Sequence, residues 1–402
     1  MLYTAEEVMD YVAQEDVKFI RLAFFDVFGQ QKNISIMPGE LASAFVKGVS
    51  FDASAIDGFG DEEKSDLCLF PDPETLEVLP WRPSHGKVVR LYCDIRYPDG
   101  TPFEMDGRDL LRRADAAARE MGLFLSFGVD YEFYLFNTDE GGNPTNVPHD
   151  NAGYMDIAPD DKGENVRREI CLTLEEMGLS PVSSHHQHGP GQHQINYRPA
   201  SLALRAADNA MTFMSAVRTV AARAGLHASF TPKPLTRYNG NGLHIHVAFG
   251  EGGQAQIAPF LAGVMEHIRD MTAFLNPTRQ SYERLGSMRA PRFITWSTEN
   301  RAQLIRVPAS GDAPVLELRS PDPTANPYVA FALLIHAGLD GVRRNLTPPP
   351  ATDLNLYDND RKSGFRSLPA TPEEAFRFAD ISPFIADVLP RRVVEAYMNS
   401  VF

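Results

Sequence analysis

Apolar positions recur at helical spacing over about 107–121, 163–177, 199–224, 258–274, 326–344 and 384–400, and each stretch is predicted to be a helix. The first of these has its ends marked: Asp106 can cap it, Leu110, Leu111, Ala114 and Ala117 or Ala118 form its stripe, and Gly122 ends it. Short strand-like runs lie between the helices at 124–136, 227–231, 243–249, 302–308 and 315–320. The first hundred residues read differently. Residues 17–37 hold two β-rich runs separated by Gly29-Gln30-Gln31-Lys32, a hairpin signal, and the stretches 70–86 and 96–109 are rich in turn residues. The pattern therefore predicts an α+β chain with a compact β-rich unit over 1–100 and a larger unit over 101–402, in which helices back a strand-built site.

Inside the apolar strands, ionisable residues stand two apart. In FGVDYEFYLF, Asp130 and Glu132 project to one face while Val129, Tyr131, Phe133 and Leu135 project to the other. His244 and His246 share a face in LHIHVAF, Glu317 and Arg319 do so in PVLELRS, and Arg301 and Arg306 bracket RAQLIR. A solvated strand face explains any one pair. Three such pairs imply a common polar cavity, because charges in apolar strands are costly unless paired or metal-bound. Carboxylate plus imidazole suits a divalent ion such as Mg or Mn when a nucleotide phosphate completes the shell. The arginines suit anionic substrates, which a guanidinium grips through two parallel hydrogen bonds.

Two further segments carry candidate chemistry. SSHHQHGPGQHQINY (183–197) holds His185, His186, His188 and His193 around a Gly-Pro-Gly turn, and reads either as a substrate or metal loop or as histidines hydrogen-bonded in the core. RYNGNGLH (237–244) is a Gly-rich loop feeding the His244 strand, or an ordinary turn. No P-loop, dinucleotide-binding glycine motif or GxSxG elbow is present.

Charge narrows the partners. Asp and Glu number 53 against 38 Lys and Arg, a net charge of −15 with no basic cluster, so nucleic acid and anionic membrane surfaces are excluded as expected partners. Hydrophobic residues at 43% and charged residues at 23% exclude wholesale disorder. Cys68, Cys93 and Cys171 form no CxxC pair or disulfide framework, and no leader-like or membrane-spanning run is seen, so a cytoplasmic protein is expected.

Taken together and in order, FGVDYEFYLF, SSHHQHGPGQHQINY, ASFTPKPLTRYNGNGLHIH, NPTRQSYERL, STENRAQLIRVP and LELRSPDPTANPYVAFALL resemble the glutamine synthetase family, of the type I kind. VKFIRLAFFDVFG, FDASAIDGF and KSDLCLFPDPETLEVLPW extend the resemblance over essentially the whole chain. It implies an N-terminal β-grasp domain and a catalytic domain whose site is lined by antiparallel strands. It also implies a homo-oligomeric ring, commonly a dodecamer, with active sites between neighbours. The implied chemistry phosphorylates the γ-carboxylate of glutamate with ATP and displaces phosphate with ammonia, using two divalent ions. Carried over by position, Asp130, His244 and Glu317 are implied to hold the metal that meets the ATP phosphates, and Glu132 to be one ligand of the other metal. Arg284 and Arg319 are implied to hold substrate carboxylates, Arg301 and Arg306 to meet phosphate, and His185 to stand beside the transferred phosphoryl group. Asn239, Gly240 and His246 join the substrate-binding candidates, and Asp52 is implied to help deprotonate ammonium from across a subunit interface.

The chain departs from the family pattern where the chemistry lies. Gln187 and Gln194 stand at positions where the family has glutamate ligands of the second metal, and an amide binds a hard dication far more weakly than a carboxylate. Arg289 replaces a flap glutamate, Val315 an arginine that faces ATP, Ala248 a hydroxyl residue near the nucleotide, and Asp130 a glutamate. The expectation is an ATP- and metal-dependent carboxylate-amine ligase acting on an acid and an amine, with weak or altered classical activity. The alternatives are a catalytically inactive or regulatory ring partner, or a single-metal enzyme of another reaction type.

Overall fold

The N-terminal helix starts on a reciprocal cap. Thr4 accepts from the Glu7 backbone N–H while the Glu7 carboxylate accepts from that of Thr4, so the Thr-x-x-Glu spacing opens α1 (Ala5–Gln14), a helix not singled out from the sequence. The computed structural model describes residues 3–59, 63, 65–82, 85–308, 315–357 and 364–401; Pro83 and Ser84 of the Pro-rich connection lie outside them. The chain divides into two compact units, Met1–Leu110 with Glu175–Gly178, and Leu111–Leu174 with Leu179–Phe402.

In the first unit, β1 (Val17–Phe25) and β2 (Gln31–Ile36) form the expected hairpin, paired from Ile20 with Ile36 to Phe25 with Gln31. Asp26 builds its turn by accepting from the Phe28 and Gln30 N–H groups, and Gly29 supplies φ 79°. There follow α2 (Leu41–Lys47), β3 (Val49–Asp52), β4 (Asp66–Pro71), β5 (Glu77–Val78) and β6 (Lys87–Arg96). The strand order is β2-β1-β6-β4-β3, with β5 also on β6 and with β1 parallel to β6.

The second unit is organised on β7 (Leu125–Thr138), entered from α3 (Gly107–Glu120). Its other elements are β8 (Pro144–Pro148), α4 (Glu164–Glu176), β9 (Pro181–His186), β10 (Gln192–Tyr197), α5 (Ala203–Arg223), β11 (Leu226–Ser229), β12 (Leu243–Phe249), α6 (Ile257–Leu275), α7 (Arg279–Arg284), β13 (Trp296–Ser297), β14 (Ile305–Arg306), β15 (Val315–Leu318), α8 (Pro327–Arg343), α9 (Pro372–Ile381), α10 (Pro383–Val388) and α11 (Arg391–Val401). The sheet runs β13-β14-β15-β12-β7-β10-β9, with β8 and β11 also on β7, and is antiparallel except between β13 and β14. Alternate residues of β7 face the helices: Phe127 stacks on Phe331 of α8 at 4.6 Å between ring centroids, and Tyr131 on Phe213 of α5 at 5.6 Å. Behind them α6 and α8 come into backbone contact, since a Cβ on Gly263 would lie 2.1 Å from the Ala337 carbonyl oxygen. The opposite face of β7, carrying Asp130 and Glu132, is left to the polar site.

Three expectations change. The helix predicted over 384–400 is two, because Leu389 before Pro390 is forced into an extended conformation (ψ 137°) that ends α10. The run 302–308 pairs only at Ile305 and Arg306. The histidine segment 183–197 is a β-hairpin, β9 with β10, and not an irregular loop. Among the described residues, no helix is long and apolar enough to cross a membrane.

Candidate functional site

Strand register assembles the site. Across β7 and β12, Asp130 lies opposite His244; across β12 and β15, His246 lies opposite Glu317; and Glu317 faces Arg306 of β14. On the other side of β7, Gln194 stands between Glu132 and His185, and Asn196 opposite Asp130. A cavity of about 940 Å³ opens over this face, lined by every candidate catalytic, substrate-binding and metal residue singled out from the sequence except Asp52; His186, His193, Ala248 and Val315 do not line it. Asp52 stands in the first unit, where its carboxylate accepts from the Ser54 N–H and hydroxyl.

Glu317 is the electrostatic centre. It is 1% exposed and accepts from Arg306 Nε at 2.6 Å and from Arg319 Nη1, with His244 Nδ1 at 3.7 Å. Burial alone would raise its carboxyl, but Arg319, His244, His246 and Arg306 outweigh that and hold it well below the usual carboxylate range. Burial, reinforced by Arg319, pushes His244 well below the usual imidazole range, leaving it neutral and able to act as a ligand. His246 goes the other way: burial opposes its charge, yet its Nε2 donates to Asp130 Oδ2 at 2.9 Å and the pKa rises. Glu132 accepts from the Gly242 N–H at 2.7 Å, and burial raises its carboxyl.

The two amides satisfy each other. Gln187 Nε2 donates to Gln194 Oε1 at 2.5 Å, and Gln194 Nε2 donates to Asn196 Oδ1 at 2.7 Å. Arg284, 3% exposed, donates to the carbonyls of Ser320 and Arg319 and makes no ion pair among the described residues. The Gly-rich loop folds directly over it: a Cβ on Gly240 would meet the Pro232 carbonyl at 2.3 Å and Arg284 Cγ at 2.9 Å, so glycine is required there. Tyr134 donates to the Asn239 carbonyl at 2.6 Å and fixes that loop to β7.

The donors Asp130, His244 and Glu317 are of the right chemistry for a hard dication, two carboxylates and a neutral ring nitrogen. The tightest grouping of possible ligands among the described residues is nevertheless a different one: Asp150, Asp161, His186 and His193, all buried, each with a ligand atom within 4.8 Å of the others. Its charges are already matched. Arg167 Nη2 lies 2.7 Å from Asp161 Oδ2, while both ring nitrogens of His186 face acceptors, Asp150 Oδ1 at 2.9 Å and the Gln187 carbonyl at 2.7 Å, which requires an imidazolium. His193 accepts from Arg167 Nη1 through Nδ1, and burial keeps it neutral. The four histidines of the hairpin thus divide: His185 and His188 face the cavity, and His186 and His193 anchor its back.

The anchor has a pH signature. Asp150 titrates below its ordinary value because, against burial, it is bonded to His186; His186 titrates above its own for the same reason. The stabilisation is therefore full between the unfolded values, roughly pH 4 to 6.5. It is lost as pH rises through the folded histidine value or falls through the folded aspartate value. The stability advantage of the parent over His186→Gln, read by urea unfolding, is expected to be largest near pH 6 and to shrink toward pH 9. A difference independent of pH would refute the ion pair.

Tyr154, His188, Asn196, Met288, Asn300 and Tyr357 also line the cavity. Asn196 continues the period-two polar face of β10 beyond Gln194 and was legible by that rule; Tyr154 and Tyr357 lie on irregular segments where no period exists. Ala248 and Val315 prove to be cross-strand partners.

The catalytic-domain model of glutamine synthetase matches residues 104–401, and its β-grasp-domain model matches 16–98. A glutamine synthetase of Clostridium saccharobutylicum is 44% identical over 94% of this chain and 89% of its own, and one of Methanosarcina mazei is 41% identical over 98% and 92%. Among solved structures, GmaS in complex with ADP superposes with a TM-score of 0.88 at 30% identity, covering 98% of this chain and 94% of that one. The Plasmodium falciparum glutamine synthetase, 19% identical with a TM-score of 0.87 over 99% of this chain and 95% of its own, shares the fold. With both domain models matched in order and relatives above 40% identity aligned over nearly their full lengths, the chain belongs to the glutamine synthetase family.

Proposed function

We propose that this chain is an ATP- and divalent-metal-dependent carboxylate-amine ligase that makes a γ-glutamyl amide from glutamate, or a related acid, and ammonia or an amine. The observation that carries the reading is the charge of the cavity: Arg284, Arg289, Arg301, Arg306 and Arg319 against Asp130, Glu132 and Glu317, a cationic surplus suited to an acid together with a polyphosphate. A carboxylate oxygen of the acid attacks the γ-phosphorus and ADP leaves. The amine nitrogen then attacks the acyl carbon, phosphate leaves, and the nitrogen gives up a proton.

Arg284 and Arg319 hold the acid, while Arg301 and Arg306 meet the phosphoryl oxygens. Asp130, His244 and Glu317 would hold Mg or Mn, which when bound offsets phosphate charge. Glu132 with the two amides makes a weak second site, so glutamine formation from ammonia is slow. In this reading Asp52 serves a neighbour's cavity in an assembly larger than a dimer. The mutual amide bond of Gln187 and Gln194 favours, as a second reading, an inactive partner subunit.

The test is phosphate release from ATP by the full chain with Mg or Mn, glutamate and a panel of amines, on a preparation whose mass is read by light scattering. Release that requires both acid and amine supports the ligase. No release, with no ATP binding, supports the inactive partner, and a monomer at all concentrations removes the role of Asp52.

A further inference from the structure

One edge of the cavity is built unlike its floor. The floor is strand-borne and charged; the rim carries Tyr154 (49% exposed), Met155 (59%) and Met288 (50%) beside Arg289, also exposed, and His188. Tyr154 bridges the two histidine rings that face the cavity, with centroids 4.4 Å from His188 and 5.7 Å from His185. Large apolar side chains held in solvent at a cavity mouth mark a place where a ligand's own apolar part is received.

Arg289 differs from Arg284, Arg306 and Arg319 in how it is held. Arg306 and Arg319 are bound to Glu317 and Arg284 is buried against carbonyls, whereas Arg301, exposed like Arg289, likewise makes no side-chain hydrogen bond or ion pair among the described residues. Arg289 makes no hydrogen bond or ion pair among the described residues, yet its backbone is committed to an unusual conformation. Met288 and Arg289 have φ of 32° and 68°, left-handed values that side chains other than glycine seldom adopt. The turn that imposes them is tied at several points: Gly286 N–H to the Ala290 carbonyl at 3.0 Å, Ala290 N–H to the Ser287 carbonyl at 2.9 Å, and Ser287 Oγ to the Arg284 carbonyl at 2.7 Å. A strained, pinned backbone that presents an unpaired guanidinium beside an aromatic ring and two thioethers is arranged for an anionic, partly apolar ligand.

Resting on the ligase reading above, we infer that this rim receives the amine substrate, and that the amine is an organic one carrying a carboxylate and an apolar body, with Arg289 as its specificity-determining residue. The acid substrate is not the group Arg289 serves, because Arg284 and Arg319 already stand deeper in the cavity for it. A bare ammonium ion gains nothing from this rim, where a fixed guanidinium repels it and the apolar side chains have nothing to cover. An amino acid used as nucleophile places its carboxylate on Arg289 and its side chain against Tyr154, Met155 and Met288, with the nitrogen directed to the floor.

Phenylalanine and phenethylamine share body and amine and differ by the carboxylate, which makes them a suitable probe pair. Each is titrated calorimetrically into the full chain with Mg and ADP present. Phenylalanine is expected to bind at least about tenfold more tightly than phenethylamine, the size of effect one charge-assisted pair provides. Arg289→Ala is expected to bring the two within about threefold of each other, and Arg289→Lys to keep part of the preference, since a point charge remains where the fork is lost. Equal affinities, absence of binding by either probe, or a preference unchanged in Arg289→Ala overturns the inference. Phosphate release is scored separately with ammonium, phenethylamine and phenylalanine. If no amine stimulates release while the preference and its loss in Arg289→Ala persist, the ligase reading fails and the rim site stands.

Discussion

The double variant Gln187→Glu, Gln194→Glu is expected to take up one more divalent ion per chain than the parent. In the parent the two buried amides bond to each other at 2.5 Å and to Asn196 at 2.7 Å, a neutral chain that needs no cation. Carboxylates in their place put like charges at hydrogen-bonding distance, beside Glu132, which lies opposite Gln194 across the strands. Such a group stays ionised only if a cation joins it, and three hard oxygen donors suit a dication.

Without metal the double variant should be less stable than the parent by about 3–5 kcal/mol, the usual cost of an uncompensated buried charge, and manganese should restore the loss. Elemental analysis after dialysis against manganese, with thermal unfolding in the presence and absence of chelator, reads both effects. Equal metal content in variant and parent would sink the argument. Glutamine formation from ammonia should improve clearly only when Arg289→Glu is added, because the rim guanidinium otherwise still repels ammonium. Removing a misdirected charge at a catalytic position is typically worth several kcal/mol of transition-state stabilisation.

Glu317→Gln acts in the opposite sense on the other half of the site. The carboxylate neutralises two guanidiniums that are themselves largely out of solvent, Arg306 at 17% and Arg319 at 7% side-chain exposure. An amide offers one oxygen and turns an N–H₂ group toward donors that cannot accept, so both cations are left without a counter-charge. A loss of about 3–5 kcal/mol in urea unfolding at pH 7 is expected, together with loss of high-affinity manganese binding in calorimetric titration. Because the folded-state pKa of Glu317 is depressed, the stabilisation is present above the unfolded value of about 4.3 and disappears only as pH falls through the folded value. The gap between parent and variant should therefore persist down to about pH 5. A loss below about 1 kcal/mol, within the range of an exposed pair, would show that the arginines find other partners.

Much of the site was legible because its floor is made of strands. Polar residues two apart in an apolar run have to share a face, and Asp130 with Glu132, His244 with His246, and Glu317 with Arg319 all line the cavity. The histidine segment was harder to read. Two of its histidines stand in β9 and one in β10, with His188 in the connection between them, and alternation sends His185 to the cavity and His186 behind it. The Gly-Pro-Gly turn in 183–197 marks where the chain reverses but not that the residues on either side of it pair, so local signals did not separate the hairpin from a loop. Most of the rim was illegible for a different reason: Tyr154, Met155 and Met288 belong to segments without periodicity, and only their meeting at one cavity with Arg289, which the family resemblance had singled out, gives them a common role.

The amino-acid sequence by itself determined the order of the main helices and strands and the faces of the strands that carry charge. These are local properties, set by the 3.6-residue turn and the two-residue pleat. Only the tertiary structure decided which charges neutralise one another. That His246 pairs with Asp130, that Arg306 meets Glu317, that Gln194 bonds Gln187 and that His186 turns to Asp150 all depend on strand order and register. His246 and Asp130 lie 116 residues apart in the chain. Contacts at that separation are selected by the packing of β7 against α5 and α8 and by the hydrogen bonds between neighbouring strands, and no single segment carries them alone.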